Sequence, residues 1–196
     1  MPVHLRKRAF PYILPKITHL CALGKLEEAI DVVETFHNNN NGDIPISKTM
    51  IQCLLHASSE KKDVAIGRRI QLLITKPRLY SSSFVLMDQL IRMFTLCGNL
   101  EYANQAFGQV LNPSIYTWQA IISAHVFLSK SSTAFELFCS MLEQGHVANG
   151  YVFSCILKAC HKFEEVALFH HAIVIISLES DVRVGASLMH MYVRCR

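Results

Sequence analysis

The chain has 196 residues, 51% of them hydrophobic and 17% charged, with a formal net charge of +4 when its ten histidines are neutral. So apolar a chain is not intrinsically disordered, and its most apolar run, Ala172–Leu178, falls far short of the ~20 residues a spanning helix needs. The mild positive charge permits contact with a polyanion without demanding it, and seven cysteines scattered through apolar stripes fit reduced core thiols rather than a disulfide-stapled secreted fold.

From the N-terminus to Lys25 there are five Lys or Arg, and no acid precedes Glu27. That is the charge bias of an organelle transit peptide. It equally fits a basic first helix with a short tail over residues 1–9, because the segment lacks the serines of a transit peptide and the repeats begin by Phe10. Pro11 and Pro15 place the start of any helix near residue 15, since proline is tolerated in a first turn but not beyond it. A second helix over Leu26–Phe36 runs into the polar loop His37–Asp43. Next come helices near Thr49–Ala57 and Val64–Ile74, stopped before Pro77, then Val85–Leu96 and Leu100–Val110, closed by Asn112-Pro113-Ser114.

The clearest stretch is Ile115–Asn149. Trp118, Ile121, Ile122 and Val126 make one apolar stripe at helical spacing, and Ala134, Leu137, Phe138, Met141 and Leu142 make another. Ser129–Ser132 breaks the two, offering a serine cap for the second helix, and Gly145 supplies a stop. Beyond it lie a helix over Val152–Cys160 and one between Glu164 and Ser177, apolar on most sides and so expected to be heavily buried. Val182–Arg196 supplies one more leading helix whose apolar side, Leu188, Met191 and Tyr192, has no second helix to cover it. An open apolar end of this kind invites self-association or a protein partner.

Short helices of this length are not stable alone, and the pairs recur. Gly24-Lys25-Leu26-Glu27-Glu28-Ala29 returns as Gly98-Asn99-Leu100-Glu101-Tyr102-Ala103, and Leu90-Ile91-Arg92-Met93-Phe94 as Leu188-Met189-His190-Met191-Tyr192. Cys53-Leu54-Leu55-His56-Ala57-Ser58 returns as Cys155-Ile156-Leu157-Lys158-Ala159-Cys160. In one phase these echoes divide the chain into modules at 10–47, 48–83, 84–114, 115–149 and 150–181, with a partial module at 182–196. Such periods mark helical solenoids. The predicted fold is all-α, a right-handed α-solenoid of helix-turn-helix repeats.

Ile115-Tyr116-Thr117-Trp118-Gln119-Ala120-Ile121-Ile122 resembles the opening of an ordinary repeat of the plant pentatricopeptide repeat family. Tyr151–Cys160 resembles a long repeat and Ser187–Cys195 a short one, as in the subclass that cycles long, short and ordinary repeats. The resemblance implies sequence-selective binding of single-stranded RNA in mitochondria or chloroplasts, the mitochondrion preferred, with one base read per repeat. The family reads a base with the fifth and last residues of each repeat. Here those pairs are Leu14 with Ser47, Gln52 with Ser83, Asp88 with Ser114, Gln119 with Asn149, and Ser154 with Asp181. Leu14 has no group to bond a base, so the first module reads nothing. Ser154 with Asp181 resembles a guanine-leaning pair. Each polar residue in these pairs is also what a solvated helix start would carry.

The family's second repeat residue stacks on bases, which points to Tyr116 and Tyr151; stacking contributes ~1–3 kcal/mol per base. Either tyrosine fits a half-buried contact between modules equally well. A lysine near the end of the first helix often meets phosphate in this family. The matching positions hold Ala22, Glu60, Leu96, Phe127, Lys162 and Arg194, so only Lys162 and Arg194 are basic and phosphate neutralisation is thin. The array would therefore bind RNA weakly by itself. The His-x-Glu and Cys-x-x-Cys signature of deaminase-bearing editing members is absent from the sequence. No cysteine or histidine spacing matches a common zinc site, so no enzyme activity, cofactor or metal is expected. The competing readings are a protein-binding scaffold of the tetratricopeptide kind, disfavoured by the uneven period, and an inactive fragment of a longer array.

Overall fold

A computed structural model describes the backbone of residues 3–39, 46–75 and 84–195, with side chains in those ranges except at 3–11, 39 and 84. The end of the expected polar loop at residues 40–43, and Pro77 and Ser83, lie outside the described residues. Every regular element among the described residues is helical: α1 (Val3–Ala22), α2 (Leu26–Asn39), α3 (Lys48–Lys61), α4 (Val64–Ile74), α5 (Phe84–Leu96), α6 (Leu100–Gly108), α7 (Ile115–Phe127), α8 (Ser131–Glu143), α9 (Gly150–Ile156), α10 (Phe163–Ile175) and α11 (Val182–Arg194). The chain divides into two compact bodies, Met1–Leu111 and Asn112–Arg196. Among the described residues no helix is long and apolar enough to cross a membrane.

In the first body α1, α3 and α5 pack on one another in order, each paired with its partner α2, α4 or α6. In the second body α7, α9 and α11 do the same, with α8 against α7 and α10 against α11. This is the helical-hairpin stacking of an α-solenoid. The turns follow from the repeated Gly-x-Leu sequence. Gly24 and Gly98 adopt φ of 71° and 73°, a left-handed conformation that glycine enters without a Cβ clash. There Lys25 N–H reaches back to Leu20 O and Asn99 N–H to Phe94 O, both at 2.9 Å, closing the helix ends. Asn99 Oδ1 then accepts from Tyr102 N–H and starts the next helix.

The first core is built of Ile17, Ile30, Leu54, Ile70, Leu90 and Phe94, all fully buried. On its outer helices Arg69 of α4 donates to Glu34, Glu27 and Asp31 of α2 at 2.5–3.0 Å. The second core holds Trp118, Ile121, Phe153 and Met191, with Phe138 edge-on to Phe153 at 5.7 Å and to Phe169 at 5.5 Å.

Four expectations are corrected. Helix α1 begins at Val3, not near residue 15. Each proline removes a single backbone donor, and the helix carries through both because its C-terminal half packs on α2 and α3. Helix α2 runs through His37 to Asn39, into the expected loop. Helix α10 is not heavily buried: Val166 and Ile173 are covered, whereas Leu168, Val174 and Ile175 are 69%, 50% and 68% exposed. A wide apolar helix can bury only as much as its neighbours reach, and a groove of about 640 Å³ separates α10 from α8. Leu188 and Met191 are not left open; both are buried, and Tyr192 lies against Phe163 and His170 of α10. The C-terminal helix turns this side inward and leaves Met189 and Val193 exposed. A smaller difference is that no serine caps α8. Lys130 holds that position, and Ser131 Oγ pairs instead with His161 Nε2 at 3.0 Å.

Candidate nucleic-acid interface

Four of the five last-of-repeat residues are described, and all four are N-caps of the helix that follows. Ser47 Oγ accepts from Thr49 N–H at the start of α3. Ser114 Oγ accepts from Thr117 N–H at α7, while Thr117 Oγ1 accepts from Ser114 N–H. Asn149 Oδ1 takes Tyr151 and Val152 N–H at α9. Asp181 Oδ1 takes Arg183 and Val184 N–H at α11. A cap satisfies donors the helix start leaves orphaned, so a short polar residue at each of these four boundaries meets the same local need. Ser83 lies outside the described residues.

Leu14 lies midway along α1, whereas Gln52, Asp88, Gln119 and Ser154 sit one turn into their leading helices. In the first body Gln52 lines a groove of about 610 Å³ between α3 and α5 with His56, Glu60, Gln89, Arg92 and Leu96. Asp88 is half-buried beside Gln89. In the second body Gln119 and Ser154 are half-buried on the packed pair α7 and α9, which Cys155 Sγ and Ser123 Oγ link at 3.3 Å. Tyr116 and Tyr151, one turn earlier, are 62% and 53% exposed. The stripe Tyr116, Gln119, Ser123 and Phe127 therefore lies along α7, beside Tyr151 and Ser154 on α9, offering ring faces and short polar groups side by side. Such surfaces suit nucleobases, which present both a π-face and a hydrogen-bonding edge.

The structure joins Tyr151 and Asp181 through a residue the sequence did not single out. Ser154 Oγ donates to Tyr151 O at 3.1 Å. Arg183 forks onto Asp181, with Nη2 2.7 Å from Oδ2 and Nε 3.2 Å from Oδ1. Its guanidinium carbon stands 3.6 Å from the Tyr151 ring centroid. The Arg183 hydrogen bonds hold the Asp181 carboxyl below its ordinary 3.8. Gly150 makes the approach possible, because a Cβ there would overlap Asp181 Oδ2. Arg183 shows no sequence signal, because its significance comes from the ring and carboxylate that folding brings to it.

The basic candidates are arranged differently from one another. Lys162 is exposed at the start of α10, where Glu165 Oε2 accepts from the backbone of His161 and Lys162. Arg194 donates from Nη2 to Cys160 O at 2.7 Å and lies 3.4 Å from His161 Nδ1. This brings a second cation next to the Lys162 segment. Arg92, in the groove of the first body, is a further exposed cation among candidate base-reading residues.

The sequence model of the PPR repeat matches residues 116–146, the hairpin α7–α8. Across most of the chain, the relatives found are pentatricopeptide repeat-containing proteins of Arabidopsis thaliana. One is 24% identical over 92% of the chain. A second, named as mitochondrial, is 30% identical over 86%, and a third, named as chloroplastic, is 30% identical over 76%.

The chain belongs to the pentatricopeptide repeat family.

These repeats cover 19%, 16% and 24% of the three relatives' own lengths, so the chain corresponds to about a fifth of each. The matched repeat is the one that carries Tyr116, Trp118 and Gln119. Its Trp118 is buried, which makes that aromatic a core residue, whereas Tyr116 and Phe127 of the same repeat are exposed.

Proposed function

We propose that this pentatricopeptide repeat chain binds single-stranded RNA in organelle RNA metabolism, with the exposed stripe of its leading helices facing the strand. The observation that carries this reading is the packing of α7 on α9, which sets Tyr116 and Gln119 beside Tyr151 and Ser154, each at least partly exposed. In this reading Gln52, Ser83, Asp88, Ser114, Gln119, Asn149, Ser154 and Asp181 meet base edges, Tyr116 and Tyr151 stack, and Lys162 and Arg194 meet phosphate. Capping does not exhaust these side chains: Asn149 uses its carbonyl for α9 and keeps its amide donors for a base. The compartment is the mitochondrion or the chloroplast, in keeping with relatives whose names carry one or the other. The task there is editing, splicing or stabilisation of transcripts, without catalysis by the repeats themselves.

Few cations line the stripe, so binding is weak and only moderately salt-dependent. The test is fluorescence anisotropy with labelled homopolymeric single-stranded RNAs across a salt series, followed by crosslinking and RNA sequencing from organelle extracts. Micromolar binding that weakens in Gln119→Ala and Ser154→Ala is expected. Equal binding to double-stranded RNA, or nanomolar binding indifferent to salt, overturns the reading.

A second reading, a protein-interaction scaffold, is favoured by the apolar groove between α8 and α10, with Leu142, Leu168 and Ile175 on its walls. Light scattering at tens of micromolar separates self-association through such a surface from a monomer.

A further inference from the structure

Tyr151 and Asp181 are the two groups of the fifth module best equipped to hold a base, and Arg183 engages both. One face of the Tyr151 ring is covered by the Arg183 guanidinium at 3.6 Å. Both Asp181 oxygens are occupied: Oδ2 by Arg183 Nη2, and Oδ1 by Arg183 Nε and the backbone N–H of Arg183 and Val184. Two of those donors, the backbone pair, belong to the start of α11 and stay with it. The other two belong to a flexible side chain on the surface and can leave.

The departing group has a distinctive form. A guanidinium is a flat cation that presents two parallel N–H bonds to a carboxylate, and here it also stacks on an aromatic ring. Guanine is likewise flat and presents two parallel donors, N1–H and N2–H, along one edge. Adenine, cytosine and uracil present no such donor pair. We propose that Arg183 is an internal stand-in for guanine: it keeps the fifth module closed by stacking on Tyr151 and forking onto Asp181, and a guanine opens the module by replacing both contacts. The inference rests on the RNA-binding reading above and adds to it that the chain competes with its own ligand.

The closed form has a consequence for selectivity. A base without the donor pair gains too little to displace Arg183, so it is passed over and its identity hardly registers. A guanine must repay the displacement, so its advantage is reduced by the fraction of molecules that are open. Weakening the contact therefore raises the preference for guanine. Arg183→Lys is the main variant, because it keeps the charge while losing the planar fork and the stacking surface. Arg183→Gln removes the charge as well. Asp181 keeps its capping bonds in both, and circular dichroism with Trp118 fluorescence checks the fold.

The experiment measures affinity of the full chain for oligouridylate and for the same tract interrupted by guanosines, in wild type, R183K and R183Q. The expected result is that the guanosine-to-uridine affinity ratio rises about threefold or more in both variants, whatever R183Q loses overall through its charge. An unchanged or smaller ratio, with RNA still bound, overturns the closed-module proposal and leaves the RNA-binding reading intact. Loss of binding in R183K shows that Arg183 is itself an RNA contact and also overturns it. If wild type and both variants bind neither RNA, the RNA-binding reading fails and the proposal falls with it.

Discussion

Gly67 on α4 lies directly against Met93 on α5: a Cβ added to Gly67 would overlap the Met93 methyl and stand 3.0 Å from Phe94 Cε1. Glycine inside a helix costs roughly 0.5–1 kcal/mol relative to alanine, so close helix approach is what this position gains. Met93 and Phe94 are both fully buried. The Met93 thioether end can move, but into a filled core. Gly67→Ala is therefore expected to lower stability by about 1 kcal/mol, overpacking outweighing the better helix propensity. Urea unfolding followed by circular dichroism checks the sign; a more stable variant would show that α4 and α5 can separate freely.

Arg69 is the tie between α2 and α4. It is half-buried and meets three carboxylates, and its hydrogen bond to Glu34 is the chief reason its pKa is raised. Because Glu27 and Asp31 are well exposed, part of the attraction is screened. Arg69→Ala should cost about 1–2 kcal/mol, and Arg69→Lys should recover only part of that, since an ammonium cannot serve three acceptors in one plane. Hydrogen exchange should quicken in α2 and α4. Unaltered exchange there would mean the ion pairs carry no net stability.

His125 on α7 is 3% exposed, and burial holds its pKa below the ordinary 6.5. The folded state therefore resists protonation while the unfolded state accepts it. Stability is retained above pH 6.5 and falls as pH drops from there towards the lower folded value, by at most about 1.4 kcal/mol per pH unit for this one proton. Trp118 fluorescence in urea at several pH values gives the slope. In His125→Gln that slope should become shallower below pH 6.5, and an unchanged slope would assign the acid sensitivity to other groups.

The cysteines should divide by accessibility. Cys139 is exposed, whereas Cys160 is fully buried and its thiol is pushed up to about 12, mainly by burial. Alkylation needs the thiolate, so mass spectrometry after brief iodoacetamide treatment at mild alkaline pH should find Cys139 modified and Cys160 intact. Early labelling of Cys160 would mean that α9 and α11 open readily.

Much of this molecule can be read along the chain because the repeat enforces local rules. Gly24 and Gly98 end helices in a left-handed turn wherever they stand, and a Ser, Asn or Asp at a repeat boundary caps whatever helix follows it. Apolar spacing marked α7 and α8 as two helices, since one face of each must be covered. These are properties of short segments, and the sequence alone determines them, together with the family resemblance they carry. The tertiary structure decided what depends on distance between segments. It set how far α8 stands from α10, and so whether Leu168 and Ile175 are core or surface. It turned Leu188 and Met191 inward. It also brought Arg183 onto Tyr151, thirty-two positions earlier in the chain. No periodicity encodes that meeting, because it depends on α9 and α11 packing side by side with Gly150 leaving room between them.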